Sequence, residues 1–458
     1  MSTNDNVTLA ARQTESIKID NLLINFTTEF RRIWDSSGSE SKPAAFWRPA
    51  PAPDLLPGFF PLGDVAATGH ANINDQRVVM VVCEGEQQSG DRRKGPALRP
   101  PTDFEQIWRD AGSGANADCS IWRPIPPEGY VALGQLCSNG CDKPLLNSVR
   151  CVRKDLVVLS SISDLIWNDK GSGARQSFSA WSICPPDPVA GEIHFAPGTF
   201  VGVGTYNKPA THVTAYSLRM QIPLQINPPP ATPELSENGQ PLLLEPAKIT
   251  QIAKLPWFTV KDPDLRPLEQ LRTSPFYRLE RTDQYVLVGY GNNENAENRI
   301  YKWTARRPQS RGARDDFSFI TTIAIDGICW PSQKPAMFSA RLNKRFTHTE
   351  LSGGWNGPSA VEIVTIVPKN KAVAAYELRS TYRLLRENNT KVAMEVQYID
   401  GNSFHLTEYP PEKDSEISTT PQPVDDASVA TDTTETERDV TTSPLPETGL
   451  PTATDTAP

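Results

Sequence analysis

The sequence lacks the features of membrane-spanning, secreted and nucleic-acid-binding proteins. No apolar run reaches the roughly 18 residues that a transmembrane helix requires, and no basic stretch followed by an apolar core opens the chain. The net charge is −8, whereas phosphate binding needs a basic surface. We therefore expect a protein made in the cytosol without a signal peptide, with no transmembrane segment and no nucleic-acid partner. Any release from the cell would use a route that needs no signal.

Catalytic and metal-binding patterns are also missing. The five histidines are scattered, and neither a His-Glu-x-x-His run, a Gly-x-Ser-x-Gly elbow nor a phosphate-binding loop occurs. The seven cysteines do not form a disulfide framework. Cys137 and Cys141 could be free thiols, form a small disulfide or provide half of a metal site. Free thiols are favoured because the sequence has no second cysteine pair that would complete a metal site. The sequence thus predicts a protein that is not an enzyme, with no catalytic residues, metal or cofactor.

What the sequence does contain is an internal repeat in its first half. Its clearest copy combines three tryptophan- or glycine-centred runs, Phe104–Ala115, Ser120–Pro124 and Gly129–Gly134. The corresponding runs are Phe30–Ser39, Phe46–Pro49 and Gly58–Asp64 in the first copy, and Leu165–Ala174, Ser179–Ser182 and Gly198–Gly204 in the third. Short apolar runs between Gly, Pro, Ser and Asp turns are typical of small antiparallel sheets. Because one such sheet cannot bury both faces, we expect three sheets that share a core around a pseudo-threefold axis, a β-prism-like domain.

These tryptophan-centred runs resemble the vacuolar protein sorting-associated protein 62 family. The resemblance covers about residues 25 to 225. It implies a role in sorting or in lipid transfer, since related units occur in very large lipid-transfer proteins, and it supplies no established catalytic residues. The third copy departs from the pattern at Ser182, where the second copy has Arg123.

The rest of the chain predicts a second domain and a tail. Proline-rich sequence indicates a linker, and β-branched runs such as Tyr285–Tyr290 and Val361–Val367 indicate strands of a β-sandwich. Val373–Glu387 is either helical or part of a β-hairpin, and its partial alternation favours the hairpin. The predicted divisions are an N-terminal segment 1–24, the prism 25–222, a linker 223–246, the sandwich 247–411 and a disordered acidic tail 412–458. The fold class is therefore all-β.

Two sets of residues are candidates for ligand binding. Asp110 and Asp169 each precede a Gly-Ser-Gly turn, and their carboxylates either bind ligand hydroxyls or cap their own turns. The candidate site comprises Asp110, Gly112, Gly114, Asp169, Gly171, Gly173 and Arg123. Arg48 and Arg123 either bind a phosphate or carboxylate or pair with an aspartate of a neighbouring copy inside the prism. The six repeated tryptophans are either core residues or stacking platforms.

The leading functional prediction is recognition of a glycan or lipid head group on a cell surface, through a lectin-like prism. The alternatives are a bacterial toxin component, insecticidal or pore-associated, that uses the prism for targeting, and an intracellular sorting or lipid-transfer adaptor. A partner protein is a further expectation. All three predictions rest on architecture, since no single residue identifies a ligand.

Overall fold

The computed structural model describes residues 15–86, 94–189, 191–209, 213–306, 338–340 and 360–410, without the side chains of 338–340 and 400–403. All of these residues belong to one compact unit, Met1–Glu412. They are built almost wholly of antiparallel strands, with a single α-helix among the described residues. The predicted all-β class is confirmed. The predicted disordered tail, 412–458, lies outside the described residues.

The described residues of the first half form eighteen strands, which the N-terminal segment and the three copies supply in turn. The first copy, with the segment before it, supplies β1 Ile17–Ile19, β2 Leu22–Thr27, β3 Phe30–Asp35, β4 Ala44–Pro49, β5 Phe60–Pro61, β6 Val65–Thr68 and β7 Val79–Glu84. The second supplies β8 Leu98–Arg99, β9 Asp103–Arg109, β10 Cys119–Ile125, β11 Tyr130–Val131, β12 Leu136–Asn139 and β13 Cys151–Arg153. The third supplies β14 Val157–Asn168, β15 Ser179–Cys184, β16 Glu192–Phe195, β17 Val201–Val203 and β18 Ala215–Gln221.

Each copy builds two small sheets on the same plan. One sheet is β3-β4-β6, β9-β10-β12 or β14-β15-β17, and the other contains β2-β7-β5, β8-β13-β11 or β14-β18-β16. The third copy shows that the two sheets of a copy share one strand, because β14 runs unbroken through both. In the second copy Pro100 and Pro101 separate β8 from β9, since proline has no N–H to donate to a strand partner.

The three copies close into a ring through their first tryptophans. The indole Nε1 of Trp34 donates to the Ala117 carbonyl of the second copy at 2.6 Å. Trp108 Nε1 donates to the Gln176 carbonyl of the third copy at 2.9 Å. Trp167 Nε1 donates to the Lys42 carbonyl of the first copy at 2.7 Å. Each acceptor lies five residues before the second tryptophan of its copy. This cyclic set of bonds is the pseudo-threefold relationship that the repeats predict.

The second half is organised around one large sheet. Its elements are β19 Leu224–Ile226, β20 Lys248–Pro256, α1 Pro267–Thr273, β21 Phe276–Asn293, β22 Arg299–Arg306, β23 Phe338–Ala340, β24 Ala360–Val367, β25 Lys371–Arg386 and β26 Val396–Tyr409. Short 3-10 turns occur at Leu146–Ser148, Lys154–Leu156 and Trp257–Thr259. The large sheet has the order β19-β20-β21-β25-β26, and β22 pairs with β24 in a separate two-stranded ribbon. Among the described residues, the second half is thus organised around this large sheet and the ribbon, and the predicted β-sandwich from 247 to 411 remains a prediction.

The two halves share a hydrophobic cluster. Phe26 of β2 packs edge-on against Trp257, with ring centroids 5.3 Å apart. The ring centroids of Phe195 of β16 and Phe258 are 5.2 Å apart. The segment predicted as a linker begins with β19, which pairs with β20 of the large sheet. Strands also start before residue 25, since β1 and β2 pair with each other. The predicted domain boundaries remain predictions, but apolar contacts cross between the two halves.

Candidate ligand-binding site

The turns that contain the predicted site residues meet between neighbouring copies. Gly38, Gly112 and Gly171 all have positive φ, at 92°, 89° and 92°. A Cβ on Gly173 would lie 3.5 Å from the Gly112 carbonyl oxygen, and one on Gly114 would lie 3.5 Å from the Gly38 carbonyl oxygen. The glycines therefore allow the backbones of neighbouring turns to approach closely.

The two aspartates of these turns point inward. Asp110 is 1% exposed and its Oδ2 accepts a hydrogen bond from Ser113 Oγ at 2.7 Å. Asp169 is 2% exposed and its Oδ1 accepts from the Phe178 N–H at 2.8 Å. Burial raises the pKa of both carboxyl groups. One carboxylate oxygen of each aspartate thus serves its own turn region, as in the turn-capping alternative, and the other oxygen is also buried.

The register of the first copy identifies a residue that sequence reasoning missed. The Ser36 N–H donates to the Ala44 carbonyl at 2.9 Å. In the same way, the Asp110 N–H donates to the Cys119 carbonyl at 2.8 Å, and the Asp169 N–H donates to the Phe178 carbonyl at 3.2 Å. Ser36 thus occupies the aspartate position, and its Oγ accepts from the Ala44 N–H at 2.9 Å. Its offset of two residues after Trp34 is the sequence signal that identifies it, because Asp110 and Asp169 have the same offset from their tryptophans.

All six repeated tryptophans are core residues. Trp34, Trp108 and Trp167 lie in one cluster with Phe46, Phe178 and Phe200. In the second tryptophan set, Trp122 Nε1 donates to Ser120 Oγ at 2.8 Å and Trp181 Nε1 to Ser179 Oγ at 2.7 Å. The corresponding Trp47 Nε1 is buried without a hydrogen-bond partner among the described residues. Ala45 stands where the other copies have serine.

Arg48 pairs inside the prism with Asp64, an aspartate of its own copy and not of a neighbouring copy as predicted. Its Nε donates to Asp64 Oδ1 at 2.8 Å and its Nη2 to Asp64 Oδ2 at 2.9 Å. The pair bridges to the second copy, because Arg48 Nη2 also donates to the Cys137 carbonyl at 2.9 Å and Asp64 Oδ2 accepts from the Cys137 N–H at 2.7 Å. The boundary between copies one and two is therefore sealed by a bidentate ion pair.

The equivalent boundary between copies two and three is built differently. Gln135 stands at the position of Asp64, and its Nε2 donates to the Gly202 carbonyl at 3.0 Å. Gly202 corresponds to Cys137 in the strand register. Gln135 thus satisfies the carbonyl that Arg48 satisfies in the first copy. Arg123, the counterpart of Arg48, is left outside this boundary.

Arg123 lines a cleft of about 510 Å³ between copies two and three. Its lining includes the side chains of Glu105, Arg123, Tyr130, Gln135, Lys154 and Tyr216. Arg123 Nε donates to Glu105 Oε2 at 3.1 Å, and Nη2 contacts the same oxygen. Both side chains of this pair are about half exposed, at 49% and 51%, so solvent screens the interaction. Of the predicted site residues, Arg123 alone lines this cleft, because the turn aspartates and glycines lie elsewhere.

The described residues contain no group of His, Cys, Asp and Glu side chains with the arrangement of a metal site. Cys137 and Cys141 are free thiols, and burial raises the pKa of the neighbouring Cys119. Within the described part of the chain, no helix has the length and apolar character needed to span a membrane.

The fold and the cleft define an all-β repeat protein with a groove between two of its three related copies. Residues 8–227 match the sequence model of vacuolar protein sorting-associated protein 62. The resemblance drawn from the tryptophan-centred runs is therefore confirmed for that part of the chain.

Two solved structures are similar to the chain. GNIP1Aa from Chromobacterium piscinae is 29% identical over a match that covers 43% of this chain and 35% of that one, with a TM-score of 0.35. Cry35Ab1 is 10% identical over 86% of this chain and 91% of its own, with a TM-score of 0.34. The chain thus spans about a third of GNIP1Aa. A comparison with curated proteins gave no match.

Proposed function

We propose that the protein is a non-enzymatic recognition protein that uses the prism to bind glycans on a cell surface. The observation that carries the proposal is the cleft between copies two and three. Its volume of about 510 Å³ lies in the range of small-ligand sites, roughly 300 to 1,000 Å³. Charged, amide and phenol groups line it together, which suits a ligand that presents both hydroxyl groups and apolar ring faces.

The three boundaries between copies do not offer three equivalent sites. Arg48 and Asp64 close the first boundary, and in the third copy Ser182 stands where the other two copies have arginine. The proposal therefore uses one binding site per chain, the cleft beside Arg123. The affinity does not depend on avidity among three sites of the same chain.

An array of glycans and lipids probed with the intact protein tests the proposal. We expect retention on a subset of glycans, and loss of that retention when Tyr216→Ala removes one aromatic group of the cleft. A Tyr206→Ala variant is the matched control, because Tyr206 is exposed and does not line the cleft. Equal glycan binding by both variants, or binding to lipids alone, contradicts the cleft as a glycan site.

A second candidate function is a pore-associated toxin component, and the ribbon β22–β24 favours it. Ile300 and Ile366 pair across the ribbon, and they are 62% and 61% exposed. Val364 on the same face is 56% exposed, while Tyr301 and Trp303 on the opposite face pack over Gly291 and Gly289 of β21. An exposed apolar face on a ribbon is the kind of surface that contacts a membrane.

Release of a trapped dye from lipid vesicles tests this second candidate. We expect the intact protein to release the dye and the double variant Ile300→Ser, Ile366→Ser to release it several-fold more slowly. The control is Leu243→Ser, which changes a leucine that is 99% exposed and lies outside the ribbon. Equal release by the double variant and the control excludes the ribbon as the membrane-contacting element.

A further inference from the structure

We infer that the cleft between copies two and three binds the carboxylate of an acidic sugar through Arg123. The inference rests on the proposed glycan-binding function and names the chemical class of the ligand. It follows from comparing Arg123 with its counterpart in the first copy, where the same backbone position already holds a carboxylate.

The first copy shows what an arginine at this position binds. Arg48 holds both oxygens of Asp64, at 2.8 and 2.9 Å, in the parallel fork that guanidinium and carboxylate groups form. The Asp64 side chain is fully buried and that of Arg48 is 15% exposed. Arginine at this place in the repeat therefore has the geometry to bind a planar carboxylate.

The second copy keeps the arginine and loses the protein carboxylate. Gln135 replaces Asp64, is 5% exposed, and its amide nitrogen is committed to the Gly202 carbonyl. Its Oε1 is buried without a hydrogen-bond partner among the described residues. Gln135 therefore fills the place of Asp64 without supplying a negative charge that would compete for Arg123.

The present partner of Arg123 is a weak competitor. Glu105 uses one oxygen, Oε2, for both of its contacts with the guanidinium. In the first copy the residue that faces the arginine across the strand pair is Arg31, whereas in the second copy it is Glu105. A half-exposed pair of this kind contributes about 0 to 1 kcal/mol, so a ligand carboxylate that engages the fork with two oxygens displaces it at little cost.

The remaining lining favours a sugar over a bare anion. Lys154 adds a second cation, which leaves the charged lining residues with two positive groups and one negative group. Tyr130 and Tyr216 supply ring surface on the two sides contributed by copies two and three. The Tyr130 hydroxyl already donates to the Pro96 carbonyl at 2.6 Å, which fixes its ring. A pyranose carboxylate combines the anion and the apolar ring face that these groups recognise.

Titration of the full chain with methyl β-glucuronide and with methyl β-glucoside, which differ at the carboxylate, tests the inference. We expect the glucuronide to bind at least tenfold more tightly. Arg123→Gln should weaken glucuronide binding by about 10- to 100-fold, the factor expected for loss of charge-assisted hydrogen bonds, and leave glucoside binding unchanged. Arg109→Gln, which changes an exposed arginine outside the cleft, should bind like the original protein.

A reciprocal variant supplies Arg123 with a competing carboxylate from the protein itself. Gln135→Asp restores the residue of the first copy, and its carboxylate should occupy Arg123 and weaken glucuronide binding by a similar factor. Thermal melting accompanies each titration, and Arg123→Gln should melt within a few degrees of the original protein because its ion pair is exposed.

The outcomes separate this inference from the proposed function. Glycan binding on the array that Arg123→Gln leaves intact overturns the acidic-sugar assignment and leaves glycan recognition standing. Binding to phosphatidylserine vesicles that depends on Arg123, without glucuronide binding, also overturns the assignment. If no glycan binds at all, both fail.

Discussion

Arg48 and Asp64 form a two-pronged ion pair at the boundary of the first two copies, with Nε–Oδ1 and Nη2–Oδ2 distances of 2.8 and 2.9 Å. Its counterpart in the second copy, Arg123 with Glu105, is half exposed. The same sequence position therefore carries a buried ion pair in one copy and a solvated one in the next. This contrast separates structural from ligand-binding arginines within a single chain.

Arg48→Gln is expected to lower the free energy of unfolding by about 3 to 5 kcal/mol, because it leaves the buried Asp64 carboxylate without its cation. Arg123→Gln is the matched control and should cost no more than about 1 kcal/mol. Urea denaturation of both variants measures the difference. Similar values for the two would mean that burial of Asp64 does not govern the strength of the pair.

Ala45→Ser is expected to stabilise the protein by about 0.5 to 1.5 kcal/mol, since it supplies the Trp47 indole with the hydroxyl acceptor that Trp122 and Trp181 have. The other copies accommodate serine at this position, so no repacking is required. Thermal denaturation provides the measurement. The control, Ala45→Val, adds volume without an acceptor; a gain in stability there would attribute the effect to packing.

Gly38→Ala and Gly69→Ala separate backbone strain from steric clash. Both glycines have positive φ, at 92° and 81°, which costs an alanine about 1 to 2 kcal/mol. A Cβ on Gly38 would also lie 2.8 Å from the Gly114 carbonyl oxygen, whereas one on Gly69 meets nothing within 4 Å. Gly38→Ala should therefore lose more stability in chemical denaturation. Equal losses would show that the neighbouring turn moves aside.

Asp110→Asn is expected to change the pH dependence of stability. Burial raises the pKa of Asp110 above 3.8 in the folded state, so its contribution is fully present below the unfolded pKa and is lost as pH rises through the folded value. Relative to the original protein, the asparagine variant should gain stability across that interval. Chemical denaturation at pH values from 3 to 7 measures it. A stability difference between the two proteins that does not change with pH would mean that ionisation of Asp110 costs the folded state no free energy.

The repeats and the tryptophans were predictable because a fixed offset reproduces them in every copy. Several strands of the second half were predictable for a similar reason: Tyr285–Tyr290 lies within β21 and Val361–Val367 within β24. The segment Val373–Glu387, whose partial alternation favours a hairpin over a helix, falls almost wholly in β25, which pairs with β26 as a long antiparallel strand.

Contacts between distant segments were not predictable in this way. Nothing in the local pattern indicates that Asp64 rather than an aspartate of another copy meets Arg48, or that Gln135 reaches Gly202 across a copy boundary. The shared cluster of Phe195 and Phe258 likewise joins residues whose runs read separately as two domains. Burial of Asp110 and Asp169 depends on how the turns converge, and this convergence is a property of the assembled ring.

The closing bond of that ring has a consequence for protein synthesis. Trp167 donates to the Lys42 carbonyl, 125 residues earlier in the chain. At roughly 5 to 20 residues per second, this acceptor waits about 6 to 25 s for its donor. During this interval the first sheet carries an uncovered aromatic edge while the third copy is still being translated. Resistance to self-association on the ribosome, and not the stability of the finished ring alone, therefore restricts which sequences the first copy can carry.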